Sequence, residues 1–189
     1  MKLLHLDSSI LGENSVSRAV SAAVTAQLKT AHPDAEVTYR DLVAQPLPHL
    51  TLEALADQTL VDEFLTSDVV VIGAAMYNFG LPTQLKAWID RILMAGKTFR
   101  YSEKGPEGLA GNVRVIVALT RGGLYGPGAP AESMEHLETY LRGVFGFIGV
   151  KDLEFIIAEG IALGPDQRQT ALAGALGAAQ TVQPLKAAA

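Results

Sequence analysis

Uninterrupted apolar runs alternate with amphipathic stretches along this sequence. The clearest run, Val69-Val70-Val71-Ile72, is followed by small residues and is typical of a strand buried on both faces of a parallel sheet. Elsewhere, apolar residues recur at three- and four-residue spacing, which is typical of helices with one buried stripe. The pattern predicts five strands, at residues 2–6, 36–42, 69–75, 113–119 and 152–158. It also predicts five helices, at residues 16–32, 50–67, 82–93, 132–147 and 165–184.

The alternation of strands and helices determines the fold class. Repeats of this kind predict an α/β fold, a single domain over residues 1–189 with a parallel sheet and helices on both faces. A flavodoxin-like three-layer sandwich with strand order 2-1-3-4-5 accommodates the five strands. We expect residues 96–109 to form a long connection without secondary structure, and such loops are usually functional. In the 50–67 helix we expect the buried residues to be Leu52, Leu55, Leu60, Phe64 and Leu65.

Composition excludes several classes of function. A net charge of −5 without a basic run argues against a nucleic-acid or anionic-membrane partner. No apolar stretch approaches the ~20 residues of a membrane span, and the first residues do not resemble a signal peptide, so we expect a cytoplasmic protein. Cysteine is absent and the four histidines lack metal-binding spacing. We therefore expect no metal site, and any redox chemistry requires a bound cofactor.

Three predicted loops meet at one end of such a sheet, after the first, third and fourth strands. The first contains Ser9, Ser15 and Ser17 beside the start of a helix. Hydroxyl groups, free backbone amides and the helix dipole suit a single terminal phosphate held without a metal. Ordinary helix capping is the alternative, and it explains Ser15 or Ser17 alone.

The other two loops suit a flat ligand. Residues 76–79 supply aromatic surface from Tyr77 and Phe79 and an amide from Asn78. In residues 120–123, Gly122 and Gly123 allow the backbone to approach a ring closely. A planar ring system that ends in one phosphate, with no metal, is FMN.

Several motifs resemble the FMN-dependent NADH-azoreductases, which are flavodoxin-like NAD(P)H:quinone oxidoreductases. The resemblance covers nearly the whole chain and is most specific at Met76-Tyr77-Asn78-Phe79, Thr98-Phe99-Arg100-Tyr101 and Gly105-Pro106-Glu107-Gly108-Leu109. Further matches are the serine loop, Arg121-Gly122-Gly123 and Gly146-Phe147-Ile148-Gly149. The 48–62 segment is shorter than in many family members, in which it can form a lid over the flavin of the neighbouring subunit. Such a lid is therefore in doubt here.

The resemblance implies a homodimer that binds one FMN per subunit at the dimer interface. It implies that the phosphate is held by Ser9, Ser15, Val16 and Ser17. The ribityl chain and ring would be held by Met76, Tyr77, Asn78 and Phe79, with Thr120, Arg121, Gly122 and Gly123 at the ring edge. Tyr101 and Phe147 would wall the substrate pocket, and Thr120 replaces a commoner serine.

The leading hypothesis is a ping-pong FMN oxidoreductase. NADH or NADPH would reduce the flavin, and a quinone or azo compound would then receive two electrons at the same place. Arg100 and Arg121 are candidates to meet the phosphates of the nicotinamide nucleotide. The first alternative is a flavodoxin-type electron carrier that docks to protein partners, and the second is a structural or regulatory domain without a nucleotide.

Overall fold

The computed structural model of the protein describes residues 1–185. Its seven strands are β1 (Lys2–Asp7), β2 (Glu36–Asp41), β3 (Val69–Ala75), β4 (Phe99–Ser102), β5 (Gly105–Gly108), β6 (Arg114–Thr120) and β7 (Asp152–Ala158). Its five α-helices are α1 (Val16–Ala31), α2 (Thr59–Thr66), α3 (Thr83–Ile92), α4 (Glu138–Phe147) and α5 (Pro165–Gln180). Single turns of 3₁₀-helix occur at Gly12–Asn14, Ala54–Ala56 and Glu132–Met134.

Five strands form the central parallel sheet, in the order β2-β1-β3-β6-β7. This is the predicted 2-1-3-4-5 order once the hairpin β4–β5 is set aside, so the predicted flavodoxin-like fold is confirmed. The order reverses direction between β1 and β3. The loops that follow neighbouring strands there leave the sheet on opposite faces, and this arrangement opens a crevice for ligands.

Two apolar cores sandwich the sheet. Residues of β3 alternate between them: Val70 and Ile72 face the α2, α3 and α4 side, and Val69 and Val71 face the α1 and α5 side. All seven residues of β3 are buried, as the run of β-branched residues predicted. The sheet therefore holds the ends of β1, β3 and β6 rigidly with respect to one another.

The expected structureless connection at residues 96–109 is wrong, because these residues contain the antiparallel hairpin β4–β5. The base of the hairpin packs closely on the loop after α4: a Cβ at Gly108 would overlap the backbone of Gly149. Ala110 N–H also donates to the Ile148 carbonyl at 2.8 Å. Two glycines thus let two backbones meet and fix the hairpin on the domain.

Two predicted helices are shorter than expected. The 50–67 helix is reduced to α2 and one 3₁₀ turn, and Leu52 and Leu55 are exposed rather than buried. Of the predicted set, Leu60 and Phe64 are buried, and Leu65 packs partly against the core. The 132–147 helix divides into a 3₁₀ turn and α4, which begins at Glu138 because the Glu135 carboxylate caps it by accepting the N–H groups of residues 137–139.

A buried carboxylate joins three elements at the end of β1. Asp7 is 3% exposed, and it accepts hydrogen bonds from Ser21 Oγ of α1 at 2.8 Å and from Tyr39 Oη of β2 at 3.1 Å. A Cβ at Gly73 of β3 would occupy the position of Asp7 Oδ1. Glycine is therefore required at position 73 to make room for this carboxylate. Of the helices that the structure describes, none is long and apolar enough to cross a membrane.

We expect Gly73→Ala to lower the free energy of unfolding by about 1–3 kcal/mol, because the new methyl group displaces a buried, hydrogen-bonded carboxylate. The matched control is Gly174→Ala in α5, where a Cβ would meet no atom within 4 Å. That variant should gain about 0.5–1 kcal/mol through helix propensity. Urea denaturation measures both, and equal stabilities for the two variants would contradict the assigned role of Gly73.

Candidate functional site

The carboxyl ends of the parallel strands surround a cavity of about 230 Å³. Four loops line it, those after β1, β3, β6 and β7. None of its lining residues, all within the described part of the chain, is acidic, and one is basic. They are Ser9, Leu11, Ser15, Val16, Ala75, Met76, Tyr77, Thr120, Gly122, Ile161, Ala162 and Arg168. A cavity with this lining suits an uncharged ring and an anionic group.

The loop after β1 brings buried hydroxyl groups to the start of α1. Ser15 caps the helix by accepting Arg18 N–H at 3.3 Å, and the hydroxyls of Ser15 and Ser17 lie 3.1 Å apart. Both side chains are at most 3% exposed. The backbone N–H groups of Val16 and Ser17 have no acceptor among residues 1–185. Capping thus explains Ser15, but it leaves two N–H groups free for an anion, with the Ser17 hydroxyl beside them.

Ser9 has a different neighbour, Tyr77. The hydroxyl of Tyr77 lies 3.1 Å from Ser9 Oγ and accepts Ile10 N–H at 3.1 Å. Tyr77 therefore joins the loop after β3 to the loop after β1 and closes one side of the cavity. Its ring lies between the part of the site that suits an anion and the part that suits a ring system.

Arg18 lies beside the serine loop but is already engaged. Its guanidinium forms a bidentate ion pair with Asp41, at 2.7 and 2.8 Å, and donates twice to the Ser9 carbonyl. The hydrogen bonds from Arg18 lower the pKa of Asp41 to about 2. Burial, together with the nearby Asp7 charge, raises the pKa of Tyr39 to about 12. Arg18 thus supports the backbone of the loop rather than pointing a free charge into the cavity.

The loop after β3 is a tight turn with strained backbone. Tyr77 and Gly80 exchange two backbone hydrogen bonds at 3.0 Å. The two residues between them have positive φ, 46° at Asn78 and 70° at Phe79. Asparagine tolerates this region, but it is unusual for phenylalanine. Both side chains are exposed and neither lines this cavity; the Phe79 ring packs edge-on against Tyr125, at 6.4 Å between centroids.

The loop after β6 is held by its neighbours on both sides. Met76 N–H donates to the Thr120 carbonyl at 2.8 Å, and Ala162 N–H donates to the Gly122 carbonyl at 3.0 Å. The N–H groups of Gly122 and Gly123 find no acceptor among residues 1–185. A Cβ at Gly122 would touch only the Ala162 methyl group, at 3.5 Å. The protein itself therefore does not require glycine at position 122, and the missing side chain leaves room for a ligand.

Arg121 lies in this loop, but its side chain points away from the cavity. Its guanidinium is 2% exposed and is ion-paired with Glu135, Glu138 and Glu159, the last at 2.6 Å. Burial opposes the charge, but the carboxylates of Glu159 and Glu138 outweigh it and raise the pKa of Arg121. Because this guanidinium is buried and its two terminal nitrogens pair with three carboxylates, it does not offer the proposed contact to a nicotinamide nucleotide. The backbone of residue 121 remains part of the loop.

The two predicted walls of the substrate pocket do not line this cavity within one chain. Tyr101 is 74% exposed on the hairpin, and its ring packs edge-on against Phe99 at 5.7 Å between centroids. Phe99 in turn contacts Phe147 at 4.8 Å. These three rings form an aromatic cluster apart from the cavity. Arg100 on the same hairpin pairs with Glu107.

Sequence reasoning missed five cavity residues; Leu11 and Ala75 adjoin the predicted loops, whereas Ile161, Ala162 and Arg168 belong to a part of the chain that was not considered. These last three follow β7, the last strand, and the expected site used only three loops. Because all five strands of the sheet are parallel, the loop after β7 leaves the sheet at the same end as the other three. The Gly160 and Gly164-Pro165 turn signals, which frame this loop, could have directed attention to it.

The strand order and the cavity at its reversal point together define a flavodoxin-like α/β protein. The sequence profile described as "Flavodoxin-like fold" matches residues 1–182. An FMN-dependent NADH:quinone oxidoreductase 2 from Bradyrhizobium diazoefficiens is 58% identical, over 97% of this chain and 99% of that protein. An FMN-dependent NADH:quinone oxidoreductase from Rhizobium meliloti is 56% identical, over 93% of each chain. A solved azoreductase structure from Bacillus anthracis superposes with a TM-score of 0.87 at 28% identity, covering 95% of this chain and 97% of that one.

With these identities over nearly full length, the chain belongs to the family of FMN-dependent NADH:quinone oxidoreductases. The resemblance read from the sequence is therefore confirmed.

Replacing Phe79 tests whether its strain is real. Both Phe79→Gly and Phe79→Ala remove the half-exposed ring, but only glycine adopts a φ of 70° without steric cost. We therefore expect Phe79→Gly to be more stable than Phe79→Ala by about 1 kcal/mol in urea denaturation. The same comparison at Gln169, an exposed position in α5, should favour alanine. If alanine were also preferred at position 79, the turn would not be strained in solution.

Proposed function

We propose that this protein binds FMN in the cavity at the sheet edge and uses NADH to reduce quinones and azo compounds. The observation that carries the proposal is the lining of this cavity, which has unpaired N–H groups and buried hydroxyls and no acidic side chain among its described residues. The names of the relatives from Bradyrhizobium diazoefficiens and Rhizobium meliloti support the choice of cofactor, electron donor and acceptor.

The residues present fit the phosphate end of FMN. The N–H groups of Val16 and Ser17 are available at the start of α1, where the helix dipole favours negative charge. Ser9, Ser15 and Ser17 complete the cradle with hydroxyls that already bond to the protein. In this assignment a metal ion is not needed to bind the phosphate.

The fit at the ring end depends on backbone groups. The N–H groups of Gly122 and Gly123 have no acceptor among residues 1–185, and Gly122 lines the cavity together with Thr120 and Met76. We assign them to the ring edge, where N–H donors stabilise negative charge on reduced flavin. Met76, Tyr77, Asn78 and Phe79 would hold the ribityl chain and one side of the ring. Asn78 contributes an exposed amide without a partner among residues 1–185.

When bound, FMN would supply the redox chemistry, accepting two electrons from NADH in one half-reaction and passing them to a quinone or azo acceptor in another. The residues that line the cavity would orient the ring and exclude water from it, and both substrates would reach it in turn. None of the described residues that line the cavity is a histidine, an aspartate or a glutamate that could act as a general base. Tyr101 or water can deliver the proton that the acceptor requires.

A complete site requires a second copy of the chain in this proposal. Tyr101 and Phe147 lie apart from the cavity of their own chain, and Tyr101 is largely exposed. Leu52, 87% exposed, adds apolar surface from the segment between β2 and α2. In a homodimer that buries these residues, Tyr101 of one subunit would wall the substrate pocket of the other.

We expect the purified protein to carry a yellow flavin, identified as FMN after acid release, that is bleached fully by one equivalent of NADH without oxygen. Gly122→Ala should fold with the stability of the wild type, because its methyl group meets the protein only at 3.5 Å. It should nevertheless lose most of the flavin, since the methyl group occupies the space assigned to the ring. Absorbance spectra and thermal melts measure both effects.

Three results would contradict the proposal. A colourless protein that ignores added FMN would exclude the cofactor. A stable monomer whose bound flavin NADH does not bleach would instead favour a flavodoxin-type carrier. Retention of flavin by Gly122→Ala would show that the ring lies elsewhere.

Complementation tests the shared site. Tyr101→Ala should raise the KM for quinone by about five- to tenfold through loss of an aromatic wall worth about 1 kcal/mol. When Tyr101→Ala and Gly122→Ala chains are co-expressed, some dimers are hybrids. In each hybrid, the intact cavity of the Tyr101→Ala chain meets the intact Tyr101 of the other chain. We therefore expect about half of the wild-type activity per flavin site. Mixed Tyr101→Ala and Tyr101→Phe chains serve as the control. Activity no higher than that of Tyr101→Ala alone would place both features in the same subunit.

A further inference from the structure

Arg168 stands out among the arginines because it has no carboxylate partner. Ion pairs with Asp or Glu are formed by Arg18, Arg40, Arg100, Arg114, Arg121 and Arg142. Among residues 1–185, only Arg91 and Arg168 lack one. Arg91 is buried, and its guanidinium is occupied by the carbonyls of Ala87 and Pro48. Arg168 is only half-buried, so its guanidinium is accessible to a ligand.

The guanidinium of Arg168 lies at the serine loop. Its Nη2 donates to the carbonyl of Asn14, the residue directly before Ser15. Arg168 also lines the same cavity as Ser9, Ser15 and Val16. A single hydrogen bond uses one of the five guanidinium N–H donors, so the others are available on the cavity side.

The position of Arg168 in its helix is electrostatically unfavourable. α5 begins at Pro165, so Arg168 lies in the first turn, where the helix dipole favours acidic residues. The start of α1 adds further positive potential beside it. Two helix N-termini and one unpaired arginine therefore meet at one point, and an anion there would relieve the repulsion among them.

We infer that Arg168 is an additional phosphate-binding residue, which forms a charge-assisted hydrogen bond to the terminal phosphate of FMN. This inference rests on the proposed function and adds a residue outside the serine loop to its binding site. Arg18 does not take this role, because Asp41 and the Ser9 carbonyl already occupy its guanidinium. The phosphate of FMN is largely dianionic at pH 7, so the arginine should discriminate FMN from riboflavin, which lacks the phosphate.

The test compares FMN and riboflavin binding to full-length protein stripped of flavin, measured by quenching of flavin fluorescence. We expect Arg168→Ala to weaken FMN binding about tenfold and riboflavin binding less than twofold, since a charge-assisted hydrogen bond to the phosphate is lost and this site is partly exposed. Arg168→Lys should recover part of the loss. The dependence of FMN affinity on salt concentration should also decrease in Arg168→Ala.

Lys29→Ala is the matched control, because it removes one positive charge from the exposed last turn of α1. It should leave both affinities unchanged. Equal weakening of FMN and riboflavin by Arg168→Ala would show that Arg168 only ties α5 to Asn14, and would overturn the inference. An unchanged FMN affinity with a raised KM for NADH would assign the arginine to the nucleotide instead and would also overturn it. Failure of the wild-type protein to bind FMN would overturn the proposed function itself.

Discussion

The buried carboxylate of Asp7 is the constraint on which the arrangement of the site depends. It accepts hydrogen bonds from α1 and β2 and fills the space that Gly73 leaves on β3. A buried charge is tolerated only when its hydrogen bonds are satisfied, so these partners are fixed with respect to one another. The serine loop begins at the next residue, and Ser8 Oγ donates to the Gly73 carbonyl at 2.7 Å. The position of the serine loop beside β3 therefore depends on the Asp7 carboxylate.

The sequence predicted the sheet well because its strands are determined by local pattern. The fully apolar run at residues 69–75 has few alternatives to a strand buried on both faces, and the reversal between β1 and β3 follows from strand order. The hairpin β4–β5 could not be predicted in this way. Its residues are polar and glycine-rich, and its stability comes from the contact between Gly108 and Gly149, which are distant in sequence. The shorter α2 also departs from local pattern, because its preceding leucines are exposed in the single chain.

The candidate site shows the same division between local and long-range information. Which loops meet could be read from the strand order, but the direction of each side chain could not. Arg121 lies in a predicted loop, but its side chain points away from the cavity because three glutamates from later elements surround it. Nothing in the sequence of α5 places Arg168 near the site. Only the packing of α5 on α1 brings it to the serine loop. The presence of carboxylate partners, rather than sequence spacing, explains why Arg121 points away from the cavity whereas Arg168 lines it.

The hairpin has a consequence for how such an enzyme diversifies. Its base is locked by backbone contact at Gly108, whereas its tip, Ser102–Gly105, makes bonds mainly within itself. Mutations at the tip therefore perturb neither the sheet nor the cavity, while Tyr101 beside it stays on a fixed platform. If the hairpin meets acceptors in the proposed dimer, its tip can change without altering the proposed FMN cavity, so homologues with different acceptor preferences should differ first at this tip.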